Sequence, residues 1–98
     1  MRGERSLLVC YDISNEKRLR KVERIVEGYG YRIQDSVFFC RSSPLLKAQL
    51  MQRISTVINA EADQFIIIDL GADENILDEA VVLGKRIKKF PKITFIGA

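Results

Sequence analysis

Leu7-Leu8-Val9-Cys10-Tyr11 is a continuous run of β-formers bounded by Asp12 and Ser14, and it predicts a buried strand. The rhythm then changes. Leu19, Val22, Ile25, Val26 and Tyr29 recur at helical spacing, and on a wheel of 100° per residue they cover about 120°. Ser14 or Asn15 is placed to cap this helix by accepting from its free N–H groups, and Gly28 and Gly30 mark its end. Lys17, Arg20, Lys21 and Arg24 lie outside the apolar arc. Arg18 lies inside it, between Ile25 and Tyr29, where a guanidinium costs desolvation unless it meets an anion. Asp12, just off the end of the first strand, is the nearest candidate.

Tyr31–Cys40 is a second β region, with Asp35-Ser36 as a kink or tight turn between Arg32–Gln34 and Val37–Cys40. Ser43 followed by Pro44 starts a second helix, because proline suits the first helical position, and Leu46, Leu50, Ile54 and Val57 form its buried stripe. Gln64–Leu70 contains Phe65-Ile66-Ile67-Ile68, the pattern of a central strand buried on both faces, and Gly71 stops it. Glu74–Glu79 reads as a helical turn, Val81–Leu83 as a short strand broken by Gly84, and Lys92–Ile96 as a final strand. The order β-α-β-β-α-β with an added C-terminal strand fits one α+β domain over residues 1–98, a ferredoxin-like sandwich. Both helices then cover one sheet face. An open apolar face in so short a chain calls for a partner, so the pattern predicts a homodimer, with residues 85–98 available to complete the partner's sheet.

Composition narrows the chemistry. The 98 residues are 47% apolar and 30% charged, which suits a folded domain rather than disorder. No apolar run approaches the roughly 18 residues of a membrane span, and the stretch after the charged start is too short for a secretory signal, so a cytoplasmic protein without a membrane partner is expected. There is no histidine, which excludes imidazole base catalysis, Ser-His-Asp triads and histidine-ligated zinc within one chain. Cys10 and Cys40 each sit in an apolar run and read as small buried hydrophobes rather than a redox pair.

Charge is unevenly spread. Residues 1–32 carry eight bases and five acids, residues 61–84 carry seven acids and no base, and residues 85–98 carry five bases and no acid. A basic half beside an acidic segment points to a polyanion surface on one side, or to solvated faces whose charges pair with each other.

Without histidine, chemistry falls to carboxylates, hydroxyls, lysines and arginines. Asp12 is the best placed, at the carboxyl end of the first strand. A hard ion such as Mg²⁺ or Mn²⁺ is satisfied by one or two carboxylates plus water, so two Asp12 residues related by a twofold axis suffice to share one. The competing reading is that Asp12 merely favours the helix start through its charge. Ser36 is placed to bond a phosphate or to satisfy backbone at the turn, and Tyr11, Tyr29 and Tyr31 to stack on bases or to pack.

Tyr11-Asp12-Ile13-Ser14, the basic helix with Arg18, Arg20 and Lys21, and Tyr29-Gly30-Tyr31-Arg32-Ile33-Gln34-Asp35-Ser36-Val37-Phe38 together resemble the family of CRISPR-associated protein two, over residues 7–60 by motif and 61–98 by element order. That resemblance implies a ferredoxin-like homodimer, acting in some members as a divalent-metal-dependent endonuclease on RNA or DNA. In others it implies a non-catalytic bridge between subunits of the integrase, CRISPR-associated protein one. It implies Asp12 as the metal position on the twofold axis, Arg32, Ser36 and Phe38 near the cleft, and Tyr11 beside the aspartate. Arg18 and Arg20 fall in the region of the helix-one arginines, the wheel favouring Arg18 near Asp12 and Arg20 on the phosphate-facing surface. Lys17, Lys21 and Arg24 complete the basic surface for RNA or duplex DNA. Many members carry a glutamate where this chain has Phe39, so any role of that acid is absent. Three functions are expected to compete: an adaptation nuclease, a DNA-binding scaffold of the same integration complex, and a ferredoxin-like regulatory module that binds a small molecule.

Overall fold

A computed structural model describes residues 3–90 and 92–97. Strand β1 (Arg5–Asp12) leads into helix α1 (Glu16–Glu27), then β2 (Gly30–Gln34), β3 (Val37–Ser42), helix α2 (Pro44–Ser55) and β4 (Gln64–Asp69). A 3₁₀ turn (Ile76–Glu79) and two short strands, β5 (Val81–Leu83) and β6 (Thr94–Ile96), follow. The main sheet has the order β2-β3-β1-β4 with every neighbouring pair antiparallel. This is the ferredoxin-like α+β arrangement that the element order predicts.

Local chemistry sets the boundaries. Asn15, not Ser14, caps α1: its side chain accepts the Arg18 N–H at 3.0 Å. Ser43 does the same for α2 through the Leu46 N–H at 3.1 Å, with Pro44 in the first turn. Asp35-Ser36 forms a two-residue turn, and the β2–β3 register slips between Arg32 and Gln34. Gly71, at φ +98°, ends β4 in a backbone conformation that side chains disfavour.

The core lies between the helices and one sheet face. Leu7, Val9 and Tyr11 of β1 alternate inward beside Phe38 and Cys40 of β3, and meet Val22 and Val26 of α1 and Leu50 and Ile54 of α2. Each fully buried aliphatic side chain contributes roughly 1.5–3 kcal/mol of transfer free energy. Leu46 departs from the predicted α2 stripe and is exposed, because the core beneath α2 ends at Leu50.

On the opposite face stand Leu8, Cys10 and Asp12 of β1, Val37, Phe39 and Arg41 of β3, and Ile66 and Ile68 of β4. The C-terminal segment folds back over part of this face. Phe90 meets the Phe39 ring edge-on at 5.7 Å and Tyr31 at 6.3 Å, and Ile93 is buried. The described part of 85–98 thus packs on its own chain, and β6 pairs in parallel with β5 in a separate two-stranded sheet; Pro91 and Ala98 lie outside the described residues. β4 is an edge strand rather than a central one, leaving Ile66 39% and Ile68 44% exposed. Phe65 and Ile67 turn to the helices, and among the described residues no fifth strand covers the outer side of β4. Both cysteines are free, and β1–β3 register puts them on opposite faces of the sheet.

Candidate functional site

Asp12 closes β1, exposed, opposite Gln64 of β4. It shares a sheet face with Leu8, Cys10, Ile66 and Ile68. The ion pairs among the described residues leave it out, so its carboxylate is uncommitted. Among the described residues no group of three or more His, Cys, Asp or Glu gathers to hold a metal. Asp12 is the carboxylate that closes this strand, and its donor chemistry fits Mg²⁺ or Mn²⁺ when a second carboxylate faces it.

Arg18 does not reach for Asp12. Its guanidinium grips Asp63 with both ends, Nε to Oδ2 at 2.7 Å and Nη2 to Oδ1 at 3.1 Å. The expected partner was the acid at the end of β1, but the loop between α2 and β4 delivers Asp63 under the first turn of α1. The Asp63 side chain is fully shielded from solvent and also accepts Ser14 N–H and O–H, both at 3.0 Å, and Asn59 N–H at 2.8 Å. The bond from Arg18, helped by those from Asn59 and Ser14 against the opposing effect of burial, holds its carboxyl well below the usual carboxylate range. Arg5 lowers Asp69 in the same way, chiefly by the side-chain bond between them at 3.1 Å. Two acids of the 61–84 segment are thus neutralised by bases of the first half of the chain.

A second network joins Tyr11, Glu23, Arg32 and Asp35. The Tyr11 O–H lies between Glu23 Oε2 at 3.1 Å and the Asp35 carbonyl at 3.2 Å, one proton shared by two acceptors. Burial, then the charge of Glu23, pushes the phenol pKa above its ordinary value. Arg32 Nη1 donates to Glu23 Oε2 at 3.3 Å and to the Asp35 carbonyl, while its guanidinium lies over the Phe38 ring at 4.9 Å. Its Nε and Nη2 carry no bond to the described residues and remain available on a half-exposed side chain. Ser36 sits in the turn beside this group, its carbonyl accepting the Tyr11 N–H at 3.1 Å.

Two expected nucleic-acid contacts are corrected by burial. Tyr11 is 5% exposed, its ring stacked 6.1 Å from Phe65, and Phe38 is 1% exposed beneath Arg32. Both face the helices because Tyr11 continues the Leu7, Val9 alternation and Phe38 pairs with Val9. Lys17, Arg20, Lys21 and Arg24 are exposed along the outer side of α1, with Arg20 loosely paired to Glu16 at 3.4 Å. Arg18, by contrast, is committed to Asp63 and withdrawn from that surface. Glu23 and Asp63 organise the site although sequence patterning does not single them out. The one signal toward Asp63 is the demand of an inward-facing Arg18 for an anion.

A cleft of about 770 Å³ lies between the sheet and the C-terminal segment, walled by Leu8, Val37, Leu77 and Val82, with Arg32, Lys85 and Arg86 also lining it. Among the described residues no helix is long and apolar enough to cross a membrane.

Comparison with known proteins points to a family. A family model described as CRISPR associated protein Cas2 matches residues 5–75. A Geobacter sulfurreducens protein named CRISPR-associated endoribonuclease Cas2 is 33% identical over 82 residues, 84% of this chain and 86% of its own. A Rhodospirillum rubrum protein of the same type is 31% identical over 94 residues, covering 96% and 92%. Among solved structures, Streptococcus pyogenes Cas2 superposes with a TM-score of 0.63 at 34% identity, over 67% of this chain and 86% of that one. A hypothetical protein from Thermus thermophilus gives 0.69 at 30% identity, over 71% and 85%. With the βαββαβ core, the Asp12 strand end and the Arg32 turn all inside the matched region, this chain belongs to the CRISPR-associated Cas2 family.

Proposed function

We propose that two copies of this chain form a homodimer that binds RNA or DNA and hydrolyses its phosphodiester bonds with a divalent cation held between paired Asp12 carboxylates. The same dimer would bridge subunits of the CRISPR-associated protein one integrase during spacer acquisition. The observation that carries the reading is the Asp12 carboxylate, outside every ion pair among the described residues, on a sheet face whose β1–β4 half is apolar, with Leu8 and Cys10 half-buried and Ile66 and Ile68 exposed. A twofold contact is self-complementary, so apolar surface meets apolar surface and each acid near the axis meets its own copy. Relatives named endoribonuclease support the hydrolytic half of the proposal.

Mg²⁺ or Mn²⁺, when bound, supplies a Lewis acid that lowers the pKa of water and neutralises phosphate charge. The protein's own residues do the rest. Asp12 would hold the cation; Arg32 offers Nε and Nη2 to a phosphate oxygen while Glu23 and the Asp35 carbonyl fix its Nη1. Ser36 lies within the same turn for a further bond to phosphate or water. Arg18 stabilises the turn after Asp12 through Asp63 instead of meeting substrate. Lys17, Arg20, Lys21 and Arg24 supply the electrostatic track for the strand.

The test is cleavage of labelled RNA and DNA with Mg²⁺, with chelator, and with Asp12→Ala, alongside sedimentation of the same samples. A dimer whose activity needs both the cation and Asp12 is expected; activity that survives Asp12→Ala removes Asp12 from the mechanism. A second reading, a non-catalytic nucleic-acid scaffold, is favoured by the exposed basic row of α1. It predicts normal integration by Asp12→Ala.

A further inference from the structure

We propose that Asp63 is a positioning residue for Asp12, its shielded carboxylate tying the turn that follows Asp12 to the loop that delivers Gln64, the partner of Asp12 across the sheet. The inference rests on the reading of Asp12 as cation ligand given above. Asp63 accepts five hydrogen bonds, two from Arg18, two from Ser14 and one from Asn59. A carboxylate offers about four lone-pair sites, so this one is saturated and has nothing left for a metal or a substrate. What it does is mechanical. Ser14 is two residues beyond Asp12, and Gln64 follows Asp63 directly and stands opposite Asp12 in the β1–β4 ladder. Asp12 is therefore held from its own strand and from its neighbour's by one side chain.

The last residue of a strand ordinarily frays, because pairing ends there. An ion site tolerates little of that. Ligand oxygens of Mg²⁺ sit near 2.1 Å, and a functional constellation needs its groups held to within about 0.5 Å. In a twofold dimer a drift of either Asp12 misplaces the shared ion, so both must be held. A buried tie at the root of each carboxylate is what such a site needs, and Arg18 supplies the countercharge that lets an ionised Asp63 stay buried.

The test uses the full chain with Mn²⁺ alone as the probe, its affinity read by electron paramagnetic resonance, for wild type, Asp63→Asn, Arg18→Lys, Ser14→Ala and Asp12→Ala. Ile54→Val serves as a variant that loosens the core away from the turn. Supporting partners of metal ligands are worth about 10–100-fold in affinity, so Asp63→Asn is expected to weaken Mn²⁺ at least tenfold. Arg18→Lys, which loses the fork but keeps the charge, should show a smaller loss, and Ser14→Ala a smaller one still. RNA cleavage by Asp63→Asn, Arg18→Lys and Ser14→Ala should recover at saturating Mn²⁺, while Ile54→Val should lose thermal stability without losing affinity. A folded Asp63→Asn with wild-type affinity, or losses that merely track melting temperature and include Ile54→Val, overturns the proposal. If Asp63→Asn does not fold, equal affinities for wild type, Arg18→Lys and Ser14→Ala overturn it. Wild type that takes up Mn²⁺ no better than Asp12→Ala overturns the Asp12 reading itself, and this one with it.

Discussion

Tyr11 separates packing from recognition, because its ring and its hydroxyl do different work. The ring is buried between Phe38 and Phe65, at centroid distances of 6.2 and 6.1 Å, and the hydroxyl shares its proton between Glu23 and the Asp35 carbonyl. Tyr11→Phe keeps the ring and deletes one bond to a charged acceptor, worth about 1.5–3 kcal/mol. The lower end applies here, since both distances are long and Glu23 keeps Arg32 as a partner. Tyr11→Ala removes the ring as well and leaves a cavity, at about 3–5 kcal/mol. With a urea m-value of about 1–1.5 kcal/mol/M for a domain of this size, the midpoint should fall by roughly 1 M for Tyr11→Phe and two to four times that for Tyr11→Ala. The assay pairs urea unfolding with binding of a fluorescein-labelled single-stranded RNA under conditions where each variant is folded. Tyr11→Phe should bind RNA as wild type does. A Tyr11→Phe protein that is as stable as wild type yet binds RNA several-fold more weakly would refute the assignment of this hydroxyl to the core.

Stability should fall in acid for a nameable reason. Asp63 and Asp69 both titrate below their unfolded values, so their contribution is complete above pH 3.8, where an unfolded aspartate titrates, and is lost as pH drops through the depressed folded values. Urea midpoints measured from pH 6 down to pH 2 should decline chiefly below about pH 4, and Asp63→Asn should flatten that decline. Cys40 is buried and its thiol is pushed up to about 11, so iodoacetamide at pH 8 should leave it unmodified until the protein unfolds; native labelling of Cys40 by mass spectrometry counts against the core described above. Gly30 lies so close to β3 that an added Cβ would fall on the Phe39 carbonyl and 2.5 Å from Cys40 Sγ. Gly30→Ala should therefore cost about 1–3 kcal/mol by thermal unfolding, and a neutral result would mean that β2 is held less tightly. Replacing Lys17, Arg20, Lys21 or Arg24 by Gln should lower the salt dependence of RNA binding by about 0.7 for each phosphate no longer neutralised, whereas Arg18→Lys should leave that slope unchanged.

The elements that depend on neighbours in sequence were legible in it. Both helix starts, the Asp35-Ser36 turn and the Gly71 stop follow from residues whose side chains or backbones act within a few positions. The alternation Leu7, Val9, Tyr11 also carries the signal that Tyr11 belongs to the core, against the pull of its motif neighbour Asp12. What requires distant pairing was not legible. The wheel shows that Arg18 needs an anion, but Asp63 lies 45 residues on and reaches it only because β4 pairs with β1 at the Asp12–Gln64 register. An apolar run of isoleucines reads alike whether the strand is central or at an edge, and only sheet order distinguishes them. The three-residue strands β5 and β6 carry too little pattern to announce that they pair in parallel.

The outer rim of β4 has a consequence for how the chain behaves when it is made. Among the described residues no further strand pairs with its outer amides and carbonyls, and with Ile66 and Ile68 exposed beside them they form an edge on which an extended peptide can add. Solubility then becomes a race between pairing and clumping. Producing this protein slowly, at low concentration of the unfolded chain, should raise how much of it survives.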